Sequence, residues 1–247
     1  MTAAADIEAI ERATLAAVSP PAVEQFGDWL LPFDSGSIGR AKSAVPLRHE
    51  HCESSVVDAI EARYRSRGLA AAFRVPDNEK LEAVRDELVR RDYHIEQPTV
   101  VHIGRCEAML RVSGETPADV AASPDEAWAS VFVGEGFDPV DGAYRVKALS
   151  RSTDALYAGV RDAGRTVAVG VAAFGYGWAS VHGMRTNFAQ RGKGFAGRVL
   201  IALAQAALDR GIARVFLQVE ENNAPAISLY RRAGFEPAWR YVYWRKG

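Results

Sequence analysis

Seven residues constrain this chain more than any others: Arg191-Gly192-Lys193-Gly194-Phe195-Ala196-Gly197, placed between a strand expected to end near 186 and a long apolar helix expected over 195–210. Glycines at this density let successive backbone N–H groups turn toward one point. The helix that follows adds its unpaired N-terminal donors and the positive end of its dipole. Such a junction holds an anion, phosphate or pyrophosphate in particular. Arg191, Lys193 and Arg198 add positive charge around it. The stretch also satisfies G-x-G-x-x-G through Gly192, Gly194 and Gly197, with Glu220 and Glu221 at the end of the next expected strand, where a ribose-binding acid belongs. An NAD(P)-binding oxidoreductase is therefore a second reading. It fits less well, because Asn187, Ala189, Gln190 and Arg191 separate the strand from the first glycine, the loop is cationic, and only 50 residues follow it. A Walker-type phosphate loop is excluded, since Lys193 is followed by Gly194 rather than Ser or Thr.

Around this loop, hydrophobic periodicity and turn residues predict helices over 6–18, 55–67, from Pro76 to about residue 88, 124–133, 139–149, 195–210 and 224–233. Strands are expected at 28–33, 44–48, 70–75, 99–103, 107–112, 155–161, 166–174, 178–186, 213–219 and 239–245, with hairpin turns at Asp162-Ala163-Gly164-Arg165 and Gly175-Tyr176-Gly177. The pattern restarts near Glu107, so the chain divides into 1–105 and 106–247. Tyr64-Arg65-Ser66-Arg67-Gly68-Leu69 echoes Tyr230-Arg231-Arg232-Ala233-Gly234-Phe235, as two related halves or two similarly ended helices both would.

The second half carries a longer pattern: Leu217-x-Val219-x-x-x-Asn223-x-x-Ala226-x-x-Leu229-Tyr230-x-x-x-Gly234-Phe235. Together with Arg191–Ala196, which matches [QR]-x-x-G-x-[GA], it resembles the GNAT superfamily of acyl-CoA-dependent N-acyltransferases over roughly 107–247. The resemblance implies an α/β (α+β mixed) fold, a mostly antiparallel sheet flanked by helices, arranged as a tandem whose first half is a degenerate copy without the cofactor loop. It implies direct transfer of an acetyl group from acetyl-CoA to a primary amine of a small molecule or peptide. It places the pyrophosphate of acetyl-CoA on Arg191, Gly192, Lys193, Gly194, Phe195, Ala196 and Gly197, and the pantetheine arm along Met184, Arg185 and Thr186. Asn223 then positions the cofactor or caps its helix, and Tyr230 is the general acid, a phenol protonated at neutral pH. The general base is left among His182, Glu220 and Glu221; a packing role for Tyr230 and His182, and a solvated turn for the two glutamates, remain open beside these. A non-catalytic acyl-CoA sensor or scaffold is the third reading.

Elsewhere the sequence speaks more softly. Thirty Lys and Arg against 31 Asp and Glu leave a net charge of −1, which gives no drive toward nucleic acid or anionic membranes. Cys52 and Cys106 are too few for a disulfide framework and suit a cytoplasmic protein. No signal peptide or membrane span is expected, and a monomer or homodimer both fit. His49 and His51 alternate in one extended segment without further His/Cys partners, so no metal is expected. Arg63, Arg65 and Arg67 read as a solvated helix face. Trp128, Tyr144, Trp178 and Trp244 are candidates for lining an acceptor pocket, with core packing the alternative.

Overall fold

A computed structural model describes residues 4–247. In chain order the helices are α1 (Ala4–Val18), α2 (Val56–Arg65), α3 (Glu82–Arg90), α4 (Cys106–Met109), α5 (Glu126–Ser130), α6 (Pro139–Leu149), α7 (Phe195–Leu208) and α8 (Ala224–Arg232). The strands are β1 (Ala22–Phe26), β2 (Trp29–Phe33), β3 (Val45–Pro46), β4 (Phe73–Pro76), β5 (His94–Arg105), β6 (Asp119–Ala121), β7 (Ala155–Asp162), β8 (Arg165–Gly175), β9 (Trp178–Thr186), β10 (Arg214–Glu220) and β11 (Glu236–Arg245). Short 3-10 turns lie at Gly39–Ala41, Glu79–Leu81 and Phe188–Gln190.

β1, β2 and β3 form a small antiparallel sheet; the other eight strands form one large sheet in the order β4-β11-β5-β10-β9-β8-β7-β6. All neighbours in the large sheet are antiparallel except β9 and β10, which α7 joins as a parallel crossover. This is the mixed, mostly antiparallel sheet flanked by helices expected from the sequence. The last strand of the first segment, β5, lies between β10 and β11, so residues 1–105 and 106–247 share one sheet.

Side chains alternate across this sheet and sort the helices onto two faces. Ala179, Val181, Val215, Leu217 and Val219 pack under α4, α7 and α8. On the opposite face, Trp178, Phe216, Val101, Tyr241 and Tyr243 pack under Ile10 and Ala13 of α1, while Val169 and Val171 meet Trp128, Phe132 and Leu149 of the α5–α6 region. The α7 helix forms because its buried positions, among them Val199, Leu200, Leu203 and Ala207, recur at helical spacing over strong helix formers.

Three stretches differ from the expected pattern, the first being β1 (Ala22–Phe26), where no strand was expected. Residues 107–112 are not a strand: they form α4 and a following turn, closed by Leu110 N–H to Cys106 O and Val112 N–H to Met109 O. Cys106 and Met109, three apart, are fully buried against α7, and this i, i+3 spacing outweighed the apparent alternation. The outer strand of the second segment is instead β6, three exposed residues with no hydrophobic period to announce it. The Tyr64/Tyr230 echo is a shared helix ending: Leu69 N–H bonds Tyr64 O and Phe235 N–H bonds Tyr230 O, both at 3.0 Å. The same six-residue closure ends α3 (Tyr93 to Leu88) and α7 (Ile212 to Ala207), so it marks a capping motif common to four helices.

Candidate active site

The site is built on the place where β9 and β10 part. Their parallel pairing covers only Ala179–Val215, Ser180–Phe216 and Val181–Leu217, although β9 runs on to Thr186 and β10 to Glu220. A bulge explains the parting: Gly183 and Met184 of β9 together oppose Gly170 of β8. Gly183 is in the left-handed region (φ 60°), which favours glycine, and a Cβ there would lie 3.0 Å from Leu149 Cδ1, so that side chain would have to give way. Beyond the bulge, the edge of β9 facing β10 has no strand partner among the described residues, which leaves a cleft between the two unpaired strand ends; Thr186 O there accepts from Arg191 Nε.

At the cleft's end the chain turns through Phe188–Gln190 into the glycine loop. Gly192 (φ 79°) and Gly194 (φ 82°) are both left-handed, and a Cβ on either would meet nothing within 4 Å. They are glycines for their backbone, not for space. Among the described residues, no hydrogen bond occupies the N–H groups of Gly192, Lys193, Gly194, Phe195 and Ala196; the first main-chain bond of the helix runs from Gly197 to Gly194 O. Five consecutive free donors thus open α7. The cations around them have no carboxylate partner among the described residues: Lys193 Nζ donates to Gln190 Oε1 (2.7 Å), Arg198 Nε to Thr116 O (2.6 Å) and Arg191 Nε to Thr186 O (3.4 Å). Gly197 lies where a Cβ would come 3.3 Å from Ser113 Cβ, so α7 packs closely there.

Tyr230 belongs to the core cluster beneath α7 and α8. It is 8% exposed, edge-on to Phe235, and its hydroxyl has no hydrogen-bond partner among the described residues. Burial pushes its pKa up to about 12, which keeps the proton on the phenol at neutral pH. His182 lies on the opposite face of the sheet, packed beside Thr14 and Val18 of α1 and Arg40. Ser180 Oγ donates to Ala173 O (3.2 Å) and lies 3.4 Å from His182 Nδ1. With the serine proton committed, this contact fits the tautomer that carries the proton on Nδ1 and a lone pair on Nε2. That Nε2 is shut off from solvent without a partner. Burial, followed by the positive charge of Arg40, pushes the His182 pKa down to about 3.

The remaining sequence candidates fall into place around this frame. Glu220 is exposed at the end of β10 and pairs with nothing among the described residues, whereas Glu221 belongs to a surface chain with Arg240 (3.1 Å) and Asp77. Asn223 caps α8 by accepting from Ala226 N–H at 3.3 Å. Met184 packs toward α7, and Arg185 turns the other way, 3.7 Å from Asp141 and over the Phe137 ring. Trp128, Trp178 and Trp244 are core residues, and Tyr144 bonds Asp34. The His49 ring packs edge-on against Trp239, while exposed His51 pairs with Glu53. Arg63 and Arg67 are not merely solvated: both pair with Glu24 and lie over Phe26 and Phe33.

Sequence reasoning missed the groups that meet His182. A cavity of about 10 Å³, near the least that admits one water, lies beside the parting strands and is lined by His182, Ser180, Gln218, Thr14 and Arg40. Gln218 is clamped: its Oε1 accepts from Tyr241 OH (2.7 Å) and its Nε2 donates to Thr14 Oγ1 (2.8 Å). These residues come from four distant segments, and no local pattern links them.

A single parallel crossover in an otherwise antiparallel sheet, with a 3-10 turn ahead of the first glycine, does not supply a dinucleotide fold. Comparison with known proteins agrees with the other reading. A family model described as "Probable histone acetyltransferase Rv0428c C-terminal" matches residues 4–244. The chain belongs to this acetyltransferase family. It is 27% identical over 245 residues to "Uncharacterized N-acetyltransferase YobR" of Bacillus subtilis, covering 96% of this chain and 98% of that one. A "GCN5-related N-acetyltransferase" structure from Kribbella flavida superposes with a TM-score of 0.69 at 18% identity, covering 97% and 95% of the two chains. A "tandem GNAT protein from the clavulanic acid biosynthesis pathway" superposes with a TM-score of 0.60 at 15% identity, covering 97% and 94%. The protein is thus a GNAT-type acetyltransferase with the fold its motifs imply.

Proposed function

We propose that this GNAT protein transfers the acetyl group of acetyl-CoA directly to a primary amine of a small molecule or peptide. The observation that carries the reading is the run of five unoccupied N–H donors from Gly192 to Ala196 at the start of α7, ringed by Arg191, Lys193 and Arg198. This donor set fits the pyrophosphate of acetyl-CoA. The free edge of β9 at Met184, Arg185 and Thr186 fits an amide-bearing pantetheine arm, which adds to a sheet edge as an extra strand does. Bound acetyl-CoA supplies the thioester acyl group. A main-chain N–H on the open edge of β9 is placed to stabilise charge on the thioester oxygen.

Tyr230 then holds a proton for the departing sulfur from one side of the cleft. The lone pair on His182 Nε2, shut off from solvent in the free protein, is the base candidate that acceptor binding would have to uncover. In the free protein this lone pair is a weak base, far below the pKa that suits proton transfer at neutral pH; exposed Glu220 is the alternative base, acting through water. Asn223 fixes the start of α8 and so the position of Tyr230. Residues 1–105 carry no glycine loop; they lend β4 and β5 to the large sheet and, on this reading, α1 and the Gly39–Ala41 turn to the acceptor side. Among the described residues no helix is long and apolar enough to cross a membrane. Free Cys52 and Cys106 fit a reducing cytoplasm, and we place the protein there as a monomer or homodimer.

Titration with acetyl-CoA and, separately, with NADH tests the reading. One-site binding of acetyl-CoA and none of NADH is expected. Binding of NADH alone would overturn it, and acetyl-CoA binding with no transfer to any amine would favour a sensor.

A further inference from the structure

The stretch Glu50-His51-Cys52-Glu53 takes no part in the cleft. It lines a cavity of about 390 Å³ in the first segment, between the β1–β2 turn and the start of α2. Small-molecule sites span roughly 300–1,000 Å³, so this one has room for a ligand. It is also well apart from the acetyl-transfer cleft. The small sheet meets the large one through the Ala44–Phe73 bridge at β4, and β4 stands three strands from β10, roughly 14 Å at the usual strand spacing.

The wall of the cavity is apolar: Phe26, Trp29, Pro46, Val56 and Leu81, with the half-buried Cys52 thiol among them. Trp29 and Leu81 belong to the core beneath α2 and α3, which holds the wall in place. The rim is charged, and carboxylates prevail there. Asp28, Glu50 and Glu53 stand against one arginine, Arg48. Arg48 lies 3.5 Å from Asp28 and His51 lies 3.2 Å from Glu53, while Glu50 has no ion-pair partner among the described residues. The nearby Arg63 and Arg67 do not line the cavity and share Glu24. His49, the other histidine of the stretch, packs against Trp239 instead. Among the described residues no three His, Cys, Asp or Glu side chains converge as a metal site, so the carboxylates are spread around the mouth rather than focused on one ion. An apolar hollow with a negative mouth complements a molecule that has an apolar body and a positive head.

We propose that this cavity binds a small organic cation, an amine with an aromatic or alkyl body, at a second site distinct from the acetyl-transfer cleft. The body displaces water from the wall formed by Trp29, Val56 and Leu81, and the ammonium group stands among Asp28, Glu50 and Glu53. An anion of the same size meets like charge at the rim and is rejected. The proposal does not depend on the acetyl-transfer reading, because no residue of β9 or of the glycine loop lines the cavity.

The test uses the full-length protein and three probes of one shape: phenethylamine, 2-phenylethanol and 3-phenylpropionate. Each is titrated calorimetrically, and each is tested for slowing the alkylation of Cys52 by iodoacetamide at pH ~8.5, where an alkylamine keeps its charge. Cys52 reports on the cavity it lines, since Cys106 is fully buried; Cys52→Ser should abolish the labelling. Phenethylamine is expected to bind and to protect Cys52 over the same concentration range, about fivefold more tightly than either analogue. Glu50→Gln/Glu53→Gln, a change at two exposed positions, is expected to weaken phenethylamine about fivefold while leaving the fold intact. Saturating CoA is expected to leave the protection unchanged. Equal protection by all three probes would overturn the proposal, as would phenethylamine that leaves Cys52 unprotected or binds the double variant as well as the wild type. Protection that CoA abolishes would place the amine in the acetyl-transfer cleft and overturn it as well.

Discussion

Gly194→Ala isolates what the glycine loop contributes. Gly194 has a φ of 82°, and an added Cβ meets nothing within 4 Å, so alanine introduces a conformational penalty and no clash. Left-handed backbone costs an alanine about 1–2 kcal/mol. If the folded protein keeps the loop shape, global stability falls by that amount and the melting temperature by about 2–8 °C. If the loop instead relaxes, the penalty falls on binding, because the N–H groups of residues 192–196 must be forced back toward one point. Acetyl-CoA affinity then drops by about 5–30-fold. Gly164→Ala is the control: its φ of 78° and open surroundings impose the same penalty in the β7–β8 hairpin turn, away from the loop. Calorimetric titration and thermal unfolding of both variants separate the two effects. Weakened acetyl-CoA binding in Gly194→Ala alone is expected. Equal, unweakened affinity in both variants, with Gly194→Ala as stable as the wild type, would refute the argument that this conformation builds the anion site.

Three other perturbations have definite signs. Tyr230→Phe keeps the ring against Phe235 and removes a hydroxyl that has no partner among the described residues. Turnover should fall tenfold or more, about 1.4 kcal/mol of barrier, while stability by chemical denaturation stays within about 1 kcal/mol of wild type. Arg74→Met strands Glu11 in the core beneath α1 and should cost about 3–5 kcal/mol in urea unfolding, with Arg74→Met/Glu11→Leu recovering much of it. Burial, then the charge of Arg74, pushes the pKa of His49 down to about 4, while the unfolded chain takes up the proton near pH 6.5. The unfolded state therefore binds more protons between these values, and stability should fall as pH drops from about 6.5 to 4, then level off for this group; His49→Asn should flatten that part of the profile.

How far the sequence carries can be read from where its signals are local. The glycine loop, α7, the β10–α8 motif and both hairpins announce themselves through short periods and turn residues, and they stand where expected. β5 was legible as a strand but not as the strand between β10 and β11, because that pairing joins residues more than 100 positions apart and leaves no periodic trace. α4 was hidden because six residues with mixed apolar positions satisfy both periods, and burial against α7 decides between them. The catalytic candidates Tyr230 and His182 could be named from motif and strand position. The Arg40, Thr14 and Gln218 surroundings of His182 could not, since they exist only once α1 and the Gly39–Ala41 turn have folded onto the sheet. The tyrosine echo shows the opposite hazard: a closure that four helix endings share reports capping, and by itself it says nothing about how the two segments are related.

The central claim, direct acetyl transfer at the parting of β9 and β10, is tested most directly by following CoA release and the mass of the acceptor together. Wild-type protein and Tyr230→Phe are run side by side with acetyl-CoA and a panel of amino acids, polyamines, aminoglycosides and peptides. Stoichiometric CoA release with a gain of ~42 Da on one acceptor class, as an acetyl group replaces a hydrogen of the amine, both suppressed in Tyr230→Phe, is the predicted result. CoA release without an acetylated amine, or transfer that proceeds undiminished in Tyr230→Phe, would contradict the account.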